Sequence, residues 1–223
     1  SWAASEVCKR QADTSALLPV GRVFAPEPRT DPLEAFVSFR SPYSYLGAAE
    51  LEKLLLARPE VPFSLRPVLP MVTRGLPVPK DKRMYIVRDA KREAERLGVP
   101  FGRICDPLGE GVEKCLALAY VARTERGDRA ALRFVVEAGA AIWSRAVDLT
   151  REVELREVAE RGQVADLVDA SLACTEWRSD AEVNREALGE AGLWGVPSFR
   201  QGPFVAWGQD RMWALQQRLG VEA

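Results

Sequence analysis

From about residue 80 to about residue 175 the apolar residues recur at helical spacing, and strand-like segments stand only before and after that block. Glu34–Phe39 alternates and is rich in β-prone residues, which predicts a first strand. Ser41-Pro42 follows as N-cap and N1 of a helix running through Leu46, Leu51, Leu54 and Leu55 to about Ala57, where Arg58-Pro59 ends it. Val61–Val68 reads as a second strand and Pro67–Pro79 as a proline-rich turn. Helices are expected near Lys82–Leu97, Gly111–Arg126, Arg129–Arg145, Glu152–Arg161 and Val164–Ala173, with Asp128 as the N-cap of the third. Ser179-Asp180-Ala181-Glu182 has the form of a capping box opening a helix to Ala191, with Gly192 suited to its end. Val196–Phe199 and Phe204–Trp207 read as strands around a Gly202-Pro203 turn, and Asp210–Leu219 as a closing helix.

The order is β-α-β, a helical block, then α-β-β-α. A β-α-β start with a later hairpin and terminal helix is the thioredoxin order, so the expected fold is α/β and thioredoxin-like with a long all-helical insertion. The expected division is an extension or linker over residues 1–31, a thioredoxin-like domain from 32–79 and 176–223, and a helical subdomain over 80–175. Ala25-Pro26-Glu27-Pro28-Arg29 supplies the linker, and Leu17 to Phe24 is a candidate to pack on the domain.

A chain of 223 residues, 47% hydrophobic, can bury one sizeable core, or a core with a subdomain inserted in it. Its 31 basic and 32 acidic residues nearly cancel, which argues against nucleic acid or an anionic membrane as partner. No histidine is present, which removes Ser-His and Cys-His nucleophile pairs and most zinc sites. Cys8, Cys105, Cys115 and Cys174 form no CxxC pair and suit reduced, cytoplasmic thiols, with Cys115 a buried small hydrophobe. No apolar run is long enough to span a bilayer, and the start lacks a signal-peptide pattern. Because the first residue is Ser1, a processed chain or part of a longer one is expected.

Three short stretches are candidates for chemistry. Ser41-Pro42-Tyr43-Ser44-Tyr45-Leu46 lies where a strand gives way to a helix, and unpaired N–H groups with the positive end of the dipole favour an anion there. The plain alternative is an ordinary Ser-Pro helix opening. Trp194-Gly195-Val196-Pro197-Ser198-Phe199 contains a candidate cis-proline that would leave the Val196 backbone to a ligand; the alternative is a trans-proline at a strand start. In Trp207-Gly208-Gln209-Asp210-Arg211, Asp210 is either a helix cap or a carboxylate for a ligand ammonium.

Taken together, these stretches resemble the 2-hydroxychromene-2-carboxylate isomerases and their kappa-class glutathione transferase relatives, within the DsbA-like thioredoxin superfamily. The similarity runs from about Glu34 to Gly220 and includes Ala141-Ile142-Trp143 in the insertion. It implies that Ser41 and Ser44 stand where redox relatives carry cysteines, so that the chain borrows the thiol of glutathione instead of cycling a disulfide. It further implies that Ser41 stabilises that sulfur as thiolate, that Val196 and Pro197 engage the cysteinyl unit, and that Gln209 and Asp210 hold the γ-glutamyl end. The implied activity is a glutathione-dependent isomerisation of an aromatic or unsaturated oxo-acid. A kappa-like transferase and a non-catalytic thioredoxin-like binding module are the alternatives.

Relatives commonly carry Gly-Asn-x-Pro-Pro and then a lysine after the second strand. Here Arg74-Gly75-Leu76-Pro77-Val78-Pro79 has no asparagine, and Lys80 or Lys82 takes the lysine's place, Lys82 being preferred. Arg40 is a candidate for a thiolate or a substrate carboxylate, or it points to solvent. Tyr43, Tyr85 and Trp143 are candidate substrate contacts, with Tyr85 and Trp143 facing a cleft between the two parts of the chain. Relatives are often dimers, so a homodimer is an open expectation.

Overall fold

The computed structural model describes residues 31–75 and 79–221. The expected linker and the Leu17–Phe24 segment lie outside that range, as do Leu76, Pro77 and Val78 of the proline-rich turn. Four strands form one sheet: β1 (Leu33–Val37), β2 (Phe63–Pro67), β3 (Ser198–Gln201) and β4 (Phe204–Trp207). Their order is β2-β1-β3-β4, with β1 parallel to β2 and the other pairs antiparallel. Helix α1 (Pro42–Ala57) joins β1 to β2. Between β2 and α7 (Trp177–Glu190) come α2 (Lys80–Leu97), α3 (Glu110–Arg126), α4 (Asp128–Trp143), α5 (Glu152–Arg161) and α6 (Val168–Ala173); α8 (Met212–Leu219) closes the chain. This is the thioredoxin-like arrangement with an all-helical insertion. No helix among the described residues is long and apolar enough to cross a membrane.

Strand β1 is buried along its whole length because both faces are covered. Leu33, Ala35 and Val37 join a cluster that also holds Leu46 and Leu51 of α1, Phe134 and Ile142 of α4 and Leu215 of α8. On the opposite face, Phe36 packs with Val68 and with Leu188 of α7. Sheet and insertion therefore share one continuous core. Helix α1 lies at the junction and is buried on several sides, from Ser44 and Tyr45 to Leu54 and Leu55. Its contact with α4 is close: a Cβ on Gly139 would lie 2.5 Å from Tyr45 Cδ2. Tyr45 is buried and donates to the Pro100 carbonyl at 3.1 Å, so it has little room to yield. Gly139→Ala is expected to destabilise the protein by about 1–2 kcal/mol, overpacking outweighing a helix-propensity gain of about 1 kcal/mol. The denaturant midpoint at unchanged slope measures it.

Glu34 of β1 shares the Phe36 face and is buried between two arginines from the flanking strands. Arg66 of β2 donates to it at 2.8 Å and 3.1 Å, and Arg200 of β3 pairs with its other oxygen. Burial pushes the Glu34 carboxyl up, but the hydrogen bonds and charges of Arg200 and Arg66 outweigh this and hold it below its usual value.

Two helix starts differ from the sequence expectation. Asp128 is the first residue of α4, not its cap; the N-cap is Gly127. Its Oδ1 instead accepts the Leu65 N–H of β2 at 2.7 Å, while Arg123 donates to the Leu65 carbonyl at 2.9 Å. The capping box is likewise absent, because α7 begins at Trp177, two residues before Ser179. Asp180 pairs with Arg123 and accepts from Asn184 at 3.0 Å, and Glu182 pairs with Arg185.

Strand β1 also ends earlier than expected. The Ser41 N–H donates to the Ser38 carbonyl at 3.0 Å, and this turn carries residues 38–40 out of the sheet and sets the start of α1 at Pro42.

Candidate active site

The N-terminus of α1, the loop before β3 and the turn after β4 meet at one end of the sheet. Facing them are the first turns of α2, the end of α4 and the segment carrying Ile104 and Asp106. These elements enclose a cleft of about 720 Å³. All ten site candidates from the sequence line it: Arg40, Ser41, Tyr43, Lys82, Tyr85, Trp143, Val196, Pro197, Gln209 and Asp210.

Ser41 is the N-cap of α1, and its Oγ accepts the Ser44 N–H at 3.1 Å. The same hydroxyl donates to the Val196 carbonyl at 3.4 Å, a long contact. The Val196–Pro197 peptide bond is cis. The expectation that both Val196 backbone groups are unpaired is thus corrected for the carbonyl; the N–H makes no hydrogen bond among the described residues. A Cβ on Gly47 of α1 would lie 3.1 Å from Pro197 Cγ, so α1 and the proline loop are packed to near contact. Ser44 is buried, and its Oγ accepts the Ser38 N–H at 3.1 Å, tying α1 to the end of β1.

Asp210 does not cap a helix. A short turn spans Gln209–Arg211, and α8 starts at Met212 without a side-chain cap. The carboxylate leans over Gly208, whose φ of +102° and lack of a Cβ leave room for it, and pairs with Arg211 at 3.0 Å. Both side chains are about half exposed, so the pair is weak and the carboxylate is accessible to a ligand cation. Gln209 beside it is buried.

Arg40 neither points to solvent nor offers a free guanidinium. It holds Asp106 through two hydrogen bonds of 2.7 Å, bridging the α1 side of the cleft to the insertion. The hydrogen bond from Arg40 holds Asp106 below the usual carboxylate range. Tyr43 donates to Asp89 of α2 at 2.7 Å. Burial, then that hydrogen bond, pushes the Tyr43 phenol well up, so it remains a protonated donor at neutral pH. Trp143 is buried and stacked on Phe101, with centroids 6.1 Å apart and planes 4° from parallel. Lys82 and Tyr85 are exposed at the rim.

Sequence reasoning missed Ser38, Arg83, Asp89, Asp106 and Trp194, which also line the cleft. Trp194 packs edge-on to Trp207 at 4.8 Å, and its place in the proline-loop stretch was the available signal. Asp89 and Asp106 carry no local signal, since each is defined by a partner distant in sequence. Among the described residues no cysteine lines the cleft. Cys115 is fully buried, its thiol pushed up by burial, and Cys105 and Cys174 are free and partly buried elsewhere.

Residues 32–220 match the family described as DSBA-like thioredoxin domain. The chain belongs to the DsbA-like thioredoxin family. No curated protein matches it by sequence. Among solved structures it resembles a 2-hydroxychromene-2-carboxylate isomerase, with 22% identity and a TM-score of 0.65 over 84% of this chain and 94% of the other. It also resembles the cytosolic disulfide reductase DsbM from Pseudomonas aeruginosa with GSH, with 18% identity and a TM-score of 0.61 over 84% of this chain and 93% of the other. At these identities the likeness establishes the fold. The structures it resembles include an isomerase and a disulfide reductase, and in this chain serine stands at 41 and 44.

Proposed function

We propose that this DsbA-like protein is a glutathione-dependent isomerase of the 2-hydroxychromene-2-carboxylate type, acting on an aromatic or unsaturated oxo-acid. The observation that carries this reading is the Ser41 hydroxyl, set at the N-terminus of α1 and facing the Val196 loop in a cleft lined by no thiol among the described residues. Such a site stabilises a sulfur anion and must take the sulfur from a ligand.

The lining suits glutathione by its chemistry. Asp210 offers a carboxylate for the γ-glutamyl ammonium, Gln209 an amide beside it, Val196 a backbone N–H for the cysteinyl unit, and Lys82 a cation for a carboxylate. Glutathione, when bound, would supply a nucleophilic sulfur for reversible addition to a carbon–carbon double bond, with no net oxidation or reduction. The chain's part is to orient the thiol, to turn the Ser41 Oγ–H toward it, and to shield the reacting carbons behind the apolar wall of Ile104, Trp143 and Tyr85. The cytoplasm, where glutathione is abundant and thiols stay reduced, is the compartment this reading requires.

Calorimetric titration with reduced glutathione, run beside Asp210→Ala, tests the proposal. The parent is expected to bind, and the variant to bind about tenfold more weakly through loss of one charge-assisted hydrogen bond. A folded parent that fails to bind glutathione would sink the reading in favour of a non-catalytic binding module.

A further inference from the structure

Ser38 Oγ and Trp143 Nε1 are buried side-chain polar atoms with no hydrogen-bond partner among the described residues, and both residues line the cleft. Most buried polar groups are satisfied, so an orphan at a ligand-sized cavity points to a partner that arrives with the ligand. Trp143 is the more informative of the two. Its ring is fixed against Phe101, and the backbone around it is committed: the Gly102 N–H donates to the Trp143 carbonyl at 2.8 Å and the Cys105 N–H to the Ile142 carbonyl at 3.0 Å. The indole therefore has little freedom to turn its N–H toward another protein group. An indole N–H donates and cannot accept, so whatever satisfies it must carry an acceptor.

Charge narrows the class further. Arg40 is committed to Asp106, whereas Lys82 and Arg83, in the first turn of α2, line the same cleft and form no ion pair among the described residues. Asp89, Glu93, Asp106 and Asp210 share that lining, so the two cations offer an anion a partner on the α2 side only, and the oxygen acceptor remains the requirement that Trp143 sets.

We infer that the Trp143 Nε1–H is a specificity-determining donor that holds an oxygen of an aromatic oxo-acid substrate. A ligand of similar shape without that oxygen displaces water and leaves the indole donor buried and unpaired, and the site rejects it. For the substrate class this deepens, and rests on, the function proposed above; it does not depend on glutathione being the thiol.

Benzylidenepyruvate serves as the oxo-acid probe and styrene as its oxygen-free counterpart, each titrated against the full chain with and without reduced glutathione. Indole N–H resonances are followed by NMR. The Trp143 resonance is assigned by its loss in Trp143→Phe or, should that variant not fold, by its shift in Phe101→Leu. The expected result is a downfield shift of that proton with benzylidenepyruvate and not with glutathione alone. Trp143→Phe is expected to weaken benzylidenepyruvate about tenfold more than it weakens styrene, the loss of stability from the smaller ring being common to both titrations. A resonance unmoved at saturation, movement with glutathione alone, no binding of benzylidenepyruvate, or equal weakening of both probes would each overturn the inference. An indole response to benzylidenepyruvate in a protein that binds no glutathione leaves the inference standing and removes the thiol reading.

Discussion

With glutathione bound as proposed, Ser41→Ala is expected to lower its thiolate population by about ten- to a hundredfold while the protein stays folded. One hydroxyl has two tasks here. Its oxygen accepts the Ser44 N–H at 3.1 Å, which caps α1, and its proton reaches the Val196 carbonyl only at 3.4 Å. A neutral acceptor at that distance holds the proton weakly, so a charged sulfur would compete for it. A hydrogen bond to a charged group contributes about 1.5–3 kcal/mol, which is the stated range in population. Loss of the cap costs about 1 kcal/mol of stability as well. Ultraviolet titration of the bound thiolate measures the first effect and urea unfolding the second. Ser41→Thr, which keeps a capping hydroxyl, should restore both. An unchanged thiol titration in Ser41→Ala would remove Ser41 from the chemistry and leave it a cap.

Glu34→Ala should have the largest effect on stability, about 3 kcal/mol. Its removal leaves Arg66 and Arg200 facing each other across β1 with no anion between them. The loss falls toward the lower end for a broken buried pair, because the two side chains keep 29% and 26% of their surface in water. The same residue makes stability depend on pH. Its folded carboxyl titrates below the ordinary value of 4.5, so as pH falls the unfolded chain takes up the proton first. The contribution is complete above about pH 4.5 and fades as pH drops through the folded value. Glu34→Gln should therefore unfold with a shallower acid dependence than the parent. Parallel acid profiles for parent and variant would show that the cluster carries no net charge linkage.

Much of the fold is legible in the sequence because period and punctuation are local properties. The alternation before Ser41, the Ser-Pro helix start and the helical spacing after Lys80 each depend on a few neighbouring residues, and the elements stand close to where those signals put them. The misreadings share one cause. Asp128 and the Ser179-Asp180-Ala181-Glu182 run look like caps, yet the Asp128 carboxylate serves Leu65 and that of Asp180 serves Arg123, both distant in sequence. A polar side chain engaged across the fold carries the same local signature as one that caps its own helix. The site divides in the same way. The Ser41, Val196-Pro197 and Asp210 stretches lie at strand ends and come together in one cleft. The pairing of Arg40 with Asp106 and of Tyr43 with Asp89 becomes visible only when the insertion is folded against α1.

The outer margin of β2 has a bearing on strand pairing between molecules. A sheet ends in a row of unanswered peptide groups, and such a row recruits strands from other molecules. At Leu65, in the middle of β2, the outward N–H meets the Asp128 carboxylate and the outward carbonyl meets Arg123. Two charged side chains thus take the places that an incoming strand would fill. Both come from the insertion, so a chain whose sheet formed ahead of α3 and α4 would leave that margin open, and docking of these helices closes it to intermolecular β-pairing.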